Sequence, residues 1–345
     1  MENYYRNFNN HVVRPFKVAN IFKVANISEV KTSHYIVAIL LFSLFCAPPA
    51  LNAEVETSIG EFLRINPSAA SSALGGAGVS QSGSADYGFL NPASPKLEKS
   101  GTSRINTSYT GWLSGTKLMD VFFAHSSNGE AVYGGGLSFF VSGEMEKFDK
   151  AGKLVGDFRT NDFLGSSFYN RNLTDKLRLG ASAKIVSIDN DGKSNTAFAA
   201  DIGCIYSLSA YLSAGLSLAN LGLGVNVGDD RYELPRLARM GMRWELRNNL
   251  TALADITYPR DDNLNLGLEL SVRENIKLRC GWDKKADLKS GAGLTAGLGF
   301  AIVSSDSMEE LRRGSSFPVL LLFDYAFQNF GELGYIHRIN FGIQF

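Results

Sequence analysis

Tyr335 to Phe345 reads Y-I-H-R-I-N-F-G-I-Q-F. Successive side chains of an extended chain point to opposite faces. Tyr335, His337, Ile339, Phe341, Ile343 and Phe345 therefore share one face, and Arg338, Asn340, Gly342 and Gln344 the other. A soluble sheet can show the same period. An apolar outer face against a polar inner one, closing on an aromatic residue, is what a lipid-facing barrel strand requires.

The pattern recurs upstream. Leu264 to Leu270 reads L-N-L-G-L-E-L, and Ile276 to Asp283 reads I-K-L-R-C-G-W-D, each with its charges on one phase. Ala238, Met240, Met242 and Trp244 alternate with Arg239, Gly241, Arg243 and Glu245; Leu177, Leu179, Ala181 and Ile185 alternate with Arg178, Gly180, Ser182 and Lys184. Scanning with this period predicts strands near 103–111, 116–126, 131–142, 159–171, 175–188, 195–207, 211–221, 235–247, 249–258, 262–273, 276–284, 288–304, 316–327 and 335–345. The expected fold is all-β, a transmembrane antiparallel barrel of about fourteen strands. Short connections alternate with longer ones at Gly143 to Phe158 and Gly222 to Leu234, which puts both termini in the periplasm. Ser305 to Ser315 is expected to form a short helix on that side.

Composition fits this class. The 345 residues carry 34 basic and 34 acidic side chains, so no net field points toward nucleic acid. Mean hydropathy is −0.04, and past the leader no apolar run of about 18 residues exists for a spanning helix. Barrels carry their hydrophobicity by alternation.

Residues 1–53 read as a long basic leader and signal peptide: Lys17, Lys23 and Lys31 precede the apolar Tyr35 to Ala53, and Ala53-Glu54 is the expected cleavage point. Cys46 as a lipidation site is the lesser reading, because Phe45 stands where a small residue is wanted. Cys204 and Cys280 lie on apolar phases and read as lipid-facing residues outside any disulfide framework.

Residues 54–100 do not alternate. Ile59 to Leu63 is a short amphipathic start, followed by small residues, Gly75-Gly76-Ala77-Gly78 and Asn91-Pro92-Ala93. Such a segment is expected to plug the lumen, ahead of a barrel at 101–345; a free periplasmic linker is the alternative, against which Phe62, Leu63, Tyr87, Phe89 and Leu90 argue.

Phe62 to Ser80 (F-L-R-I-N-P-S-A-A-S-S-A-L-G-G-A-G-V-S), with Asp86, Tyr87 and Asn91-Pro92-Ala93, resembles the N-terminal signature of the PorV/PorQ family of the FadL-type superfamily. Asp324 to Phe327, Gly331, Leu333-Gly334 and His337 to Ile339 resemble its closing hairpin. Ala70 stands where an Arg is usual, and Ser94 where a Gly is common. The resemblance implies a fourteen-stranded outer-membrane barrel with a plug motif at Phe62, Leu63, Gly75, Gly76, Gly78, Asp86, Asn91 and Pro92. It further implies an accessory role in type IX-like protein secretion, with a translocon or exported cargo as partner. The alternative it implies is a FadL-like channel for small hydrophobic molecules with a lateral opening. In either case the outer-membrane lipid is a partner and nucleic acid is not.

Inward charges are expected at Arg178, Lys184, Asp201, Arg239, Arg243, Glu245, Asp255, Glu269, Lys277, Arg279 and Arg338, lining a wet interior and pairing across the lumen. Gly75 to Gly78 lacks the βαβ context of a phosphate loop and reads as a plug turn. Asp189-Asn190-Asp191-Gly192 opens like a calcium loop, but Ala200 stands where the bidentate Glu belongs, so it reads as a hairpin tip. His125 and His337 are the only imidazoles past the leader, and no nucleophile motif accompanies them. Acidic pairs such as Asp229-Asp230 and Asp261-Asp262 read as solvated loop charge. No catalysis, cofactor or metal is expected. Tyr109, Trp112, Tyr133, Tyr169, Tyr258, Trp282 and Tyr335 read as interfacial aromatics.

Overall fold

The computed structural model describes residues 58–97, 99–149, 151–190, 193–227, 230–259, 264–284, 293–303 and 319–345. The leader with its cleavage point and Cys46, the helix expected at 305–315, and Asp191, Gly192, Asp229, Asp261 and Asp262 lie outside the described residues.

Fourteen antiparallel strands close into a barrel. In chain order they are β1 (Ser103–Gly111), β2 (Lys117–Ser126), β3 (Ala131–Val141), β6 (Asn161–Asn172), β7 (Leu177–Asn190), β8 (Lys193–Ser207) and β9 (Leu212–Gly222). There follow β12 (Leu237–Arg247), β13 (Leu250–Tyr258), β14 (Leu264–Arg273), β15 (Ile276–Asp283), β16 (Leu294–Val303), β17 (Leu320–Asn329) and β18 (Tyr335–Gln344). β18 pairs with β1 from Gln344↔Arg104 to His337↔Gly111, which seals the wall and removes every free edge. The side-chain phases are as the sequence predicts: Tyr335, Phe341, Leu268 and Leu278 are exposed outside, and Ile336, Arg338 and Asn340 are buried inside. An exposed apolar belt around a closed sheet is a surface for lipid.

Two of the longer connections are not irregular loops. Gly143 to Phe158 holds the hairpin β4 (Met145–Phe148) and β5 (Leu154–Phe158); Gly222 to Leu234 holds β10 (Val225–Val227) and β11 (Asp230–Tyr232). The β4–β5 hairpin is exposed along its length, whereas Val225 at the start of β10 is buried in the interior core.

Residues 58–97 run through the barrel. Ser58 bridges to Glu233 at the long-loop rim, and Ile59 N–H donates to the Glu233 carbonyl at 3.0 Å. At the other rim Gly101 N–H reaches the Ser126 carbonyl, and Ser103 N–H donates to the Phe345 carbonyl at 2.7 Å. The two ends of the barrel, Ser103 and Phe345, thus share the short-turn rim, while the described part of the plug starts at the opposite one. A 3-10 turn at Glu61–Arg64 buries Phe62 and Leu63, and the short helix α1 (Ala69–Ser72) is capped by Ser68, whose side chain accepts from Ser71 N–H.

Candidate functional site

The plug is held by side chains of the inner wall that meet its backbone. Asp255 on β13 accepts from Gly78 N–H at 2.6 Å and from Val79 N–H at 2.8 Å. Thr295 on β16 accepts from Gly75 N–H and donates to the Ala73 carbonyl, both at 2.9 Å, while Asn265 on β14 donates to the Gly75 carbonyl. Asn340 on β18 accepts from Ala69 N–H and donates to Asp86 at 3.3 Å; Asp86 also receives the Ser84 hydroxyl. Asn91 Nδ2 donates to the carbonyls of Val79 and Cys204, and Asn170 on β6 donates to those of Pro92 and Pro95. A buried irregular segment needs a partner for each backbone group, and the wall supplies several beside those made by the plug's own turns.

The plug residues expected from sequence thus lie in one place. Phe62 and Leu63 enter the core, Gly75 and Gly76 make the turn with φ of +72° and +87°, and Gly78, Asp86, Asn91 and Pro92 take part in the seat. Sequence reasoning missed the wall side of it. At Gly180 a Cβ would stand 2.4 Å from Pro92 C, at Gly215 2.3 Å from Val79 O, and at Gly267 2.6 Å from Leu74 Cβ. These glycines fall on the inward phase of three strands, and that phase was the available signal.

The lumen charges pair along the wall and not across it, which corrects the cross-lumen expectation: the plug occupies the space between facing walls. Lys184 and Asp201, on neighbouring strands, meet at 2.7 Å with side chains only 4% and 1% exposed. Lys184 Nζ also donates to Asn220 Oδ1 at 2.9 Å, Asn220 N–H donates to Asp201, and Asn220 Nδ2 donates to the Pro235 carbonyl. Asn220 has φ of +59° where the β8–β9 register shifts between Ala200 and Ile202. The bulge re-aims one amide into the network. Glu269 binds Arg279 at 2.8 Å and Lys277 at 2.9 Å, and Arg279 continues to Asp324. Arg243 pairs with Glu245 on its own strand, Arg239 reaches the Leu90 carbonyl at 3.5 Å, and Arg178 donates to Asn172. Arg338 donates to Gln328 under the Trp112 ring, 5.3 Å away. Trp112 is therefore partly buried against Arg338 and Phe330, not solely an interfacial ring.

The interior is also not uniformly wet. β2, β3, β6, β7 and β8 turn Phe122, Ala124, Val132, Leu164, Phe168, Val186, Ile188, Ala197 and Ala199 inward, where they form one core with Phe62, Leu63, Phe89, Leu90 and Leu97 of the plug. Asp255, Asn265, Thr295 and Asn340 of the plug's seat lie on β13 to β18, while Asn170 on β6 and the Lys184–Asp201 pair on β7 and β8 stand among the apolar residues. Within the apolar sector, Phe89, Phe122, Phe168, Ser166, Ser182 and Lys184 line a cavity of about 10 Å³, space for one water at most. Behind it stand Gly134 and Gly136 of β3, whose missing side chains are replaced by the Phe168 and Phe122 rings.

His125 accepts or donates with Ser103 at 2.9 Å, and His337 with Tyr325 at 2.8 Å, each across neighbouring strands. Among the described residues no group of three His, Cys, Asp or Glu side chains converges.

A sealed sheet, oily outside and stoppered by its own N-terminal segment, defines a plugged transmembrane β-barrel. Its architecture is that of the FadL-type barrels. The toluene transporter TbuX of Ralstonia pickettii superposes with a TM-score of 0.54 at 13% identity, covering 81% of this chain and 97% of that one. The toluene transporter TodX of Pseudomonas putida gives 0.51 at 12%, covering 79% and 96%. A FadL homologue of Pseudomonas aeruginosa gives 0.51 at 11%, covering 84% and 99%. No family model and no curated relative matches the chain. At these identities the likeness is one of fold.

Proposed function

We propose that the protein is an outer-membrane channel for small hydrophobic molecules, exported with residues 1–53 as a removable leader. The observation that carries this reading is the apolar inner sector, which runs from Ile188, Val225 and Leu234 near the long-loop rim to the aromatic cavity behind Gly134 and Gly136. A porin for polar solutes has no use for such a surface. An aromatic ring moving from water onto it removes about 150 Å² from solvent and gains about 4 kcal/mol. The barrel shared with toluene transporters supports the same reading, and favours it over the secretion role that the terminal motifs imply.

The cavity is smaller than a ring, so passage needs Phe89 and the plug around it to shift. The glycine run thins the wall there, which gives an apolar molecule a lateral way out into lipid. The hydrogen bonds of Asp255, Asn265, Thr295 and Asn340 keep hold of the plug meanwhile.

The test is uptake of radiolabelled toluene by cells producing the protein. Phe168→Ala should raise the rate several-fold, and Ser182→Phe, which fills the cavity, should lower it about tenfold with the barrel still folded by heat-modifiable gel mobility. Rates equal to those of cells lacking the protein would end the proposal.

A further inference from the structure

On the lipid-facing side the wall carries a depression of about 400 Å³ across β16, β17, β18 and β1. The register builds it from two rows. Ile105, Ile343, Leu321 and Ile302 lie side by side on the row nearer the short-turn rim. Thr107, Phe341, Phe323 and Phe300 form the next row toward the long loops. Three rings stand together at one end of this second row, with centroids 5.2 Å and 6.4 Å apart, whereas Thr107 leaves the other end low. Between the two rows the backbone of Gly342 adds to the lining. Its lining is almost wholly apolar and contains no charged side chain.

We propose that this groove is a binding site for one phospholipid acyl chain of the inner leaflet, held longer than the lipids of the surrounding shell. Three features argue for this occupant. The groove is continuous with the exposed belt that the fold already assigns to lipid. It lies in the half of the wall nearer the short-turn rim, which faces the periplasm in barrels of this kind. Its cross-section is a cleft between branched aliphatics and ring faces, wide enough for a flexible chain, and its one polar side chain, Thr107, turns its hydroxyl to the Phe341 carbonyl. A cleft of this kind also gives a chain dispersion contacts on several sides, where a flat wall gives them on one.

Native mass spectrometry of the full barrel, released from mild detergent after extensive washing, tests the proposal. The wild-type protein should retain one phospholipid per chain. Thr107→Trp, which fills the low end from an exposed position, should cut the retained fraction about tenfold, while Leu268→Trp, equally lipid-facing but on β14, should leave it unchanged. Retention untouched by Thr107→Trp, or no retention above that of a washed control barrel, would overturn the site. A cross-linkable dimer lost in Thr107→Trp would overturn it in favour of a second copy of the chain.

Discussion

Asp255 is a single carboxylate on which two backbone groups of the plug depend, Gly78 N–H and Val79 N–H. Removing it leaves two buried donors unpaired, at roughly 1–3 kcal/mol each. Asp255→Ala is expected to lower stability by about 3 kcal/mol, read as the midpoint of urea unfolding in detergent micelles, and Asp255→Asn by less, since one acceptor oxygen remains. Lys184 and Asp201 present a different balance. Their bond is buried, so deleting one partner strands the other charge at a cost of about 3–5 kcal/mol, whereas replacing both with apolar residues relieves the desolvation of the pair. Lys184→Met alone should therefore unfold at clearly lower urea than the double variant Lys184→Met with Asp201→Leu. If the double variant is the weaker of the two, the pair stabilises the barrel outright. The charges themselves were legible as inward residues from their phase. Their partners were not, because Asn220 enters the network only through a bulge that no period reveals.

The strands owe their legibility to the same cause that makes them stable in lipid. A barrel strand has one face in oil and one turned inward, so its period is written in every residue, and β1 and β18 lie within a residue of the expected 103–111 and 335–345. Hairpins β4–β5 and β10–β11 escaped this logic, since neither faces oil. The plug was legible as a segment from its small residues and lack of alternation, but its direction through the barrel was not: the Ser58 bridge to Glu233 is a contact between distant parts of the sequence. The seat rests on matched small residues from both partners. At Gly267 a side chain would strike Leu74 Cβ at 2.6 Å and its carbonyl at 2.7 Å. Gly267→Leu should keep the barrel folded, displace the plug turn, and open an ion conductance in planar bilayers that wild-type protein lacks. An unchanged, closed trace would mean that the plug does not depend on this approach.

At the level of the whole molecule, the inner wall offers the plug polar seats, mostly on β13 to β18 but also at Asn170 on β6, and an apolar core on β2 to β8. Sequence phase alone could not separate these, because Phe122, Phe168 and Val186 occupy the same inward phase as Asp201 and Glu269, and Asp201 shares its strand with the core residues Ala197 and Ala199. On the proposed function, the plugged barrel is a barrier to water-soluble compounds and a path for oily ones. The direct test is paired permeation: radiolabelled toluene and a polar solute of similar size, such as glycerol, followed into the same proteoliposomes. The protein is expected to accelerate toluene entry and to leave glycerol at the rate of protein-free vesicles. Accelerated glycerol entry, or toluene entry no faster than through bare lipid, would contradict the proposed function.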